Sequence, residues 1–244
     1  MRRSLMATRE RKAWMPDPPR RLDLLERVHG ALRRYVLAPL WYYAVRLCAR
    51  DLCFPDCATL RSREGEFHIV VANHRSNADA VVIFMCLYEA VGGVATEYVF
   101  FADQSFWFLG FFMPLRLVFV DRSKKSLEPS AERKLMSARG AVIFPEGTRS
   151  RDGVLKPFKS GAFRAARAAA LRRMLRPRIR CVALDYRRSG ILEDTLGFGA
   201  SAYYGLAHAV VFGPVRAPEV YLIPDDVDDL DAARDAIEAH VEGR

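Results

Sequence analysis

Three short apolar runs, Ile69–Ala72, Leu117–Val120 and Ala141–Phe144, each stop abruptly at a cluster of polar and charged residues. Each run has the length of a buried strand, and helix-length segments stand between them, so the chain reads as strands alternating with helices around one sheet. In open α/β sheets ligands bind beyond the carboxyl ends of the strands. The clusters that follow the three runs are therefore expected to line one crevice. They are Asn73-His74-Arg75-Ser76-Asn77-Ala78-Asp79, Asp121-Arg122-Ser123 and Pro145-Glu146-Gly147-Thr148-Arg149-Ser150-Arg151.

The first cluster carries general-base chemistry. His74 falls at a strand-to-helix turn, and Asp79 falls on the first turn of the following helix. From there a carboxylate can accept a hydrogen bond from one ring nitrogen, fix the tautomer, and leave the other nitrogen free to take a proton from a hydroxyl. An ordinary helix cap, with Asn77 or Asp79 satisfying free amides, is the competing reading of the same residues. The third cluster offers anion binding. Arg149 supplies a planar fork suited to phosphate or carboxylate, Gly147 lets backbone approach a ligand, and Glu146 is placed to hold the guanidinium. A surface turn of solvated charges is the competing reading there.

Taken together, Asn73-His74 with Asp79, Phe119-Val120-Asp121-Arg122, and Phe144-Pro145-Glu146-Gly147-Thr148-Arg149-Ser150 resemble, in order, three blocks of the glycerolipid acyltransferases, the 1-acyl-sn-glycerol-3-phosphate (lysophospholipid) acyltransferase family. A fourth block falls at Cys181-Val182-Ala183-Leu184, with Ala183 where the family usually has proline. Phe158-Lys159-Ser160-Gly161 looks like the family's link from the third block into the next helix. The resemblance covers roughly residues 65 to 216.

The resemblance implies transfer of a fatty acyl group from a thioester, acyl-CoA or acyl carrier protein, to the hydroxyl of a lysophosphatidic acid-like lysolipid. His74 is then the base and Asp79 its orienting partner. Backbone amides around Gly147 and Thr148 serve the tetrahedral oxyanion, and Arg122, Glu146 and Arg149 hold the acceptor head group. Neither cofactor nor metal is expected. Upstream of the second block, Phe101-Ala102-Asp103-Gln104 places an acid where many family members carry a lysine. An acid there repels phosphate, which leaves open a lysolipid with another head group, such as an aminolipid. Asp185-Tyr186-Arg187-Arg188 offers either a second source of positive charge or a solvated loop.

Composition narrows the partners. A net charge of +9 is unevenly spread, because residues 225 to 244 hold eight acids against two arginines and the remainder is strongly basic. Such a body favours anionic lipid surfaces or nucleic acid. Zinc-finger spacing, helix-turn-helix and RNA-binding signatures are all lacking, so nucleic acid is not expected. Residues 1 to 34 carry ten Lys/Arg against four acids and precede Tyr35-Val36-Leu37-Ala38-Pro39-Leu40-Trp41-Tyr42-Tyr43. This run is too short to span a bilayer, which needs about 20 apolar residues, so an interfacial helix is expected. A core-packing amphipathic helix is the alternative. The site is thus expected on the cytoplasmic face of a membrane, in a peripheral or monotopic protein.

Five scattered cysteines, at 48, 53, 57, 86 and 181, indicate neither a disulfide framework nor a zinc site. A serine hydrolase is disfavoured by the missing Gly-x-Ser-x-Gly elbow. A non-catalytic membrane-surface protein remains a further alternative.

The expected fold is a single α/β domain with a central mixed sheet flanked by helices. Residues 1–19 are expected to be disordered, 20–50 amphipathic and helical, and 51–244 the acyltransferase domain. The patterns predict strands at 67–72, 97–102, 116–120, 141–144, 179–184 and 208–213. Helices are predicted at 78–91, 128–139 and 161–175, with an acidic helix starting at Pro224-Asp225-Asp226. Phe106, Trp107, Phe108, Phe111 and Phe112 are read as acyl-chain lining, membrane contact or core.

Overall fold

The computed structural model describes residues 24–48, 54, 57–61, 63–76, 79–103, 114–120, 129–150, 154–185 and 219–241. The expectations for residues 1–19, Arg122, the aromatic cluster at 106–112, Arg187, Arg188 and the strand at 208–213 lie outside the described residues.

Among the described residues six strands form one mixed sheet: β1 (Glu66–Ala72), β2 (Tyr98–Asp103), β3 (Arg116–Val120), β4 (Gly140–Ile143), β5 (Arg176–Asp185) and β6 (Glu219–Val227). Their spatial order is β3-β2-β4-β1-β5-β6. All neighbours run parallel except β6, which pairs antiparallel with β5. The parallel interior accounts for the continuous apolar runs, because both faces of each central strand are covered. Phe67, Ile69 and Val71 face a core with α4 (Pro129–Met136), α5 (Gly161–Arg172) and α6 (Leu230–Val241). Val70 and Ala72 face the opposite core with α3 (Asp79–Val91). The sheet is thus sandwiched between two helical layers.

A helix–sheet contact also explains why the apolar stretch Asp79–Glu97, long and apolar enough to cross a membrane, is core here. Val82 through Leu87 are all buried, and all but Met85 belong to the core shared with the sheet.

The carboxyl-terminal expectation needs correction. Pro224-Asp225-Asp226 does not start a helix but lies within β6, which pairs from Glu219 opposite Asp185 to Val227 opposite Ile179. Pairing with β5 overrides the local helix signal, and the register is irregular between Ile179 and Cys181. Proline is tolerated at such a place because Pro224 falls where the register is irregular and, among the described residues, β6 is an edge strand. The helix starts instead at Leu230, with Asp229 Oδ1 accepting the Ala232 amide at 2.9 Å, an ordinary acidic cap.

The amino-terminal helical segment is α1 (Leu24–Leu32), a wider turn (Arg33–Leu37) and α2 (Ala38–Cys48). The Ala38 amide donates to Arg33 O, the five-residue spacing of a π turn. Val28, Leu32, Val36, Leu40, Tyr43 and Leu47 are exposed along it. Other residues latch it to the body. Arg34 pairs with Glu97 at 2.9 Å, Tyr42 donates to Glu89 and stacks on Tyr88, and Ala38 is fully buried. Gly93 permits this approach, since a Cβ there would stand 2.9 Å from Arg34 Cγ.

At the end of the sheet away from the motif turns, His68 is fully buried, with Nε2 3.4 Å from Glu66 Oε2. Burial lowers its pKa, against the opposing pull of Glu66. The unfolded chain therefore binds the proton more readily, so the stability from neutral His68 is present above about pH 6.5 and is lost as pH falls below it. The urea midpoint of the wild type should decline between pH 7 and pH 5. His68→Gln should flatten that decline, and an unchanged slope would contradict the assignment.

Candidate active site

The polar clusters after β1 and β4 meet at the carboxyl edge of the sheet. β1 and β4 are parallel neighbours, with Val71 opposite Ile143, so the segments beginning at Asn73 and Phe144 emerge side by side. Asn73 continues the ladder past the end of β1 with its side chain. Its Nδ2 donates to Leu184 O at 2.9 Å, and its Oδ1 accepts from Leu184 N at 2.7 Å. Asn73 thereby fixes the first motif block to β5, the fourth. The sequence reading assigned Asn73 no such role, because the partner lies 111 residues away.

His74 Nδ1 lies 2.8 Å from Asp79 Oδ2, and Asp79 is fully buried at the start of α3. An ionised carboxylate only accepts, so Nδ1 carries the proton and Nε2 carries the lone pair. The same Oδ2 accepts the amides of Arg75 at 2.8 Å and Ser76 at 3.0 Å. Both readings of Asp79, cap and histidine partner, are thus realised by one oxygen. The imidazole lies against Phe144 with ring centroids 4.7 Å apart, and its side chain is 24% exposed. Among the described residues Nε2 has no partner, so the lone pair is open to a substrate.

Glu146 is buried, and its place differs from the expectation that it holds the Arg149 guanidinium. Its Oε1 accepts the His74 amide at 2.6 Å and its Oε2 accepts the Lys156 amide at 3.1 Å. Burial raises its pKa, the two amide donors and His74 oppose that shift, and Asp79 adds to it. The side chain braces the first motif block to the third. A further bond, Ser150 N to His74 O at 2.8 Å, closes the same junction.

The turn itself explains Gly147. Its φ of 68° lies in the left-handed region, and a Cβ there would sit 3.3 Å from Lys159 Nζ. The Gly147 amide donates to Phe144 O at 3.0 Å. That commitment leaves Thr148 as the one of the two proposed oxyanion amides without an acceptor among the described residues. Lys156 Nζ donates to Arg149 O at 2.6 Å and fixes the backbone there. The Arg149 guanidinium is half-buried and has no partner among the described residues. Lys159 joins it as a second cation, tied to the turn by its amide on Pro145 O at 2.8 Å. The Phe158-Lys159-Ser160-Gly161 signal was visible in the sequence, but its place over Gly147 required the fold.

The structure thus brings together His74, Asp79, Glu146, Gly147, Thr148 and Arg149. Among the residues of the second block, Phe119 and Val120 end β3, beyond β2 in the sheet.

A family model described as Acyltransferase matches residues 59–183. The 1-acyl-sn-glycerol-3-phosphate acyltransferase of Salmonella typhimurium is 32% identical over 111 residues, which are 42% of this chain and 43% of that protein. Its mouse alpha counterpart is 28% identical over 107 residues, 41% of this chain and 35% of that one. The lyso-ornithine lipid O-acyltransferase of Brucella abortus is 31% identical over 179 residues, 70% of this chain and 58% of the relative. The aligned parts therefore span less than two thirds of these curated relatives. The family match at residues 59–183 covers more than half of the chain and includes His74, Asp79 and the Glu146–Arg149 turn, and on this ground the chain belongs to the acyltransferase family that includes the 1-acyl-sn-glycerol-3-phosphate acyltransferases.

Proposed function

We propose that the protein transfers a fatty acyl group from a thioester to the hydroxyl of a lysolipid. The observation that carries this reading is His74, whose Nδ1 is held by buried Asp79 while Nε2 stays open beside the Glu146–Arg149 turn. Nε2 takes the hydroxyl proton as the oxygen attacks the thioester carbonyl carbon. Asp79 stabilises the imidazolium that forms. The tetrahedral oxyanion draws on preorganised donors such as the Thr148 amide. Collapse of this intermediate forms the new ester and breaks the carbon–sulfur bond, and the departing thiolate takes the proton from His74. No covalent acyl-enzyme is needed.

Arg149 and Lys159 favour an acceptor with an anionic group, phosphate or carboxylate, near the turn. Lysophosphatidic acid fits this requirement. A second reading, a lyso-ornithine-type aminolipid, is favoured by Asp103 at the end of β2 and by the longer match to the Brucella enzyme. Rates on the two lysolipids under identical conditions separate the readings. With either acceptor, Arg149→Lys should raise the acceptor's KM more than the thioester's, because lysine keeps charge but loses the fork. Equal effects on both would contradict the head-group role.

The exposed stripe on α1 and α2 rests on lipid at the cytoplasmic face, with Leu40 (63% exposed) and Tyr43 (65%) at its centre. Leu40→Glu combined with Tyr43→Glu should move the protein from vesicles to the soluble fraction while a short-chain soluble lysolipid is still acylated. Retention on vesicles would rule out this face as the contact.

A further inference from the structure

We propose that the outer face of α5 docks an acidic carrier protein bearing the acyl thioester on a flexible arm. The proposal rests on the acyltransferase reading and names the donor for the same site. α5 buries Phe163, Ala166, Ala169 and Ala170 against the sheet. Its opposite face, at i, i+3 and i+7 spacing, exposes Arg164, Arg167 and Leu171. Neither arginine has a side-chain partner among the described residues. Their neighbours differ: Arg172 pairs with Glu132, and Arg173 donates to Ala138 O. The two guanidinium groups stand on α5, the helix that follows Lys159 in the chain, and a pair of cations without a partner among the described residues attracts a negatively charged surface.

Two further observations favour a protein over a nucleotide or a lipid surface. The helix ends in apolar side chains, with Leu171 58% exposed and Met174 93% exposed. Met174 has φ 57°, a conformation in which glycine or asparagine is the usual helix-ending residue, so its exposed thioether is not explained by local backbone preference. Charge followed by exposed apolar side chains, spread over about 15 Å of helix axis, suits a helical protein surface better than a nucleotide. Moreover, α5 packs on the sheet face opposite the one that holds Ala38 and α3. A protein resting on lipid through α1 and α2 turns the outer face of α5 toward solvent.

The test compares initial rates of the full-length protein with two donors carrying the same acyl chain, an acyl carrier protein thioester and acyl-CoA. Arg164→Glu combined with Arg167→Glu should raise the KM for the carrier thioester about tenfold or more, and leave that for acyl-CoA within about twofold. The wild-type rate with the carrier should fall steeply with added salt, and the rate with acyl-CoA less so. Equal loss with both donors, an unaffected carrier KM, use of acyl-CoA alone by the wild type, or loss of vesicle binding in place of the donor effect would each overturn the docking proposal. If the wild type transfers acyl groups from neither thioester to any lysolipid, the acyltransferase reading itself has failed.

Discussion

His74→Ala should leave the fold and vesicle binding intact and lower acyl transfer by about 100-fold or more, the usual worth of a positioned general base. The fold should survive because the imidazole is partly exposed and, among the described residues, its ring hydrogen-bonds only to Asp79. The backbone bonds that join the motif blocks, from His74 N to Glu146 and from Ser150 N to His74 O, remain in the variant. Asp79→Asn should also be severely impaired, with a second cost. The amide that replaces the carboxylate keeps one acceptor, but three donors converge on Oδ2: the His74 ring and the Arg75 and Ser76 amides. Circular dichroism and rate measurements on the same preparations check both variants. Near-normal transfer by folded His74→Ala protein contradicts the mechanism.

Glu146→Ala should be damaging for a different reason. Removing the carboxylate strips acceptors from two backbone amides, His74 N and Lys156 N. Each orphaned amide costs roughly 1–3 kcal/mol where water does not replace the lost bond. The thermal midpoint should fall, and kcat should fall with it, because the backbone of His74 loses one of its two links to the turn that presents Arg149. Glu146→Gln should be milder, since it keeps one acceptor oxygen and the side-chain volume. A drop in the acceptor's affinity with unchanged stability and kcat would instead show Glu146 touching the head group.

Much of this arrangement was legible in the sequence, and the reasons are physical. β3 falls at the predicted 116–120, and β1, α3, β2 and β4 fall within a residue or two of their predicted bounds. Apolar runs buried on both faces leave little freedom in where such strands end. The His74–Asp79 pair was equally legible because both partners lie on one short strand-turn-helix unit. What escaped were contacts between residues distant in the chain. Glu146 reaches an amide 72 residues away and Asn73 reaches a strand 111 residues away, and neither distance leaves a local pattern. At the carboxyl end, proline followed by acids is a sound helix-start signal, but pairing with β5 decided otherwise. Asp229 carried the same signal at the correct place.

The central claim is tested most directly by following the fate of a labelled acyl group. The protein is incubated with an isotopically labelled acyl thioester and a mixture of monoacyl lipids that includes lysophosphatidic acid and lyso-ornithine lipid, and the products are resolved by mass. The account predicts that label appears in a new ester on one of these lysolipids, heavier than its acceptor by one fatty acid less one water, with free thiol released in equal amount. Label recovered only as free fatty acid would show a hydrolase, and an intact thioester with every acceptor would show that the protein does not catalyse this transfer.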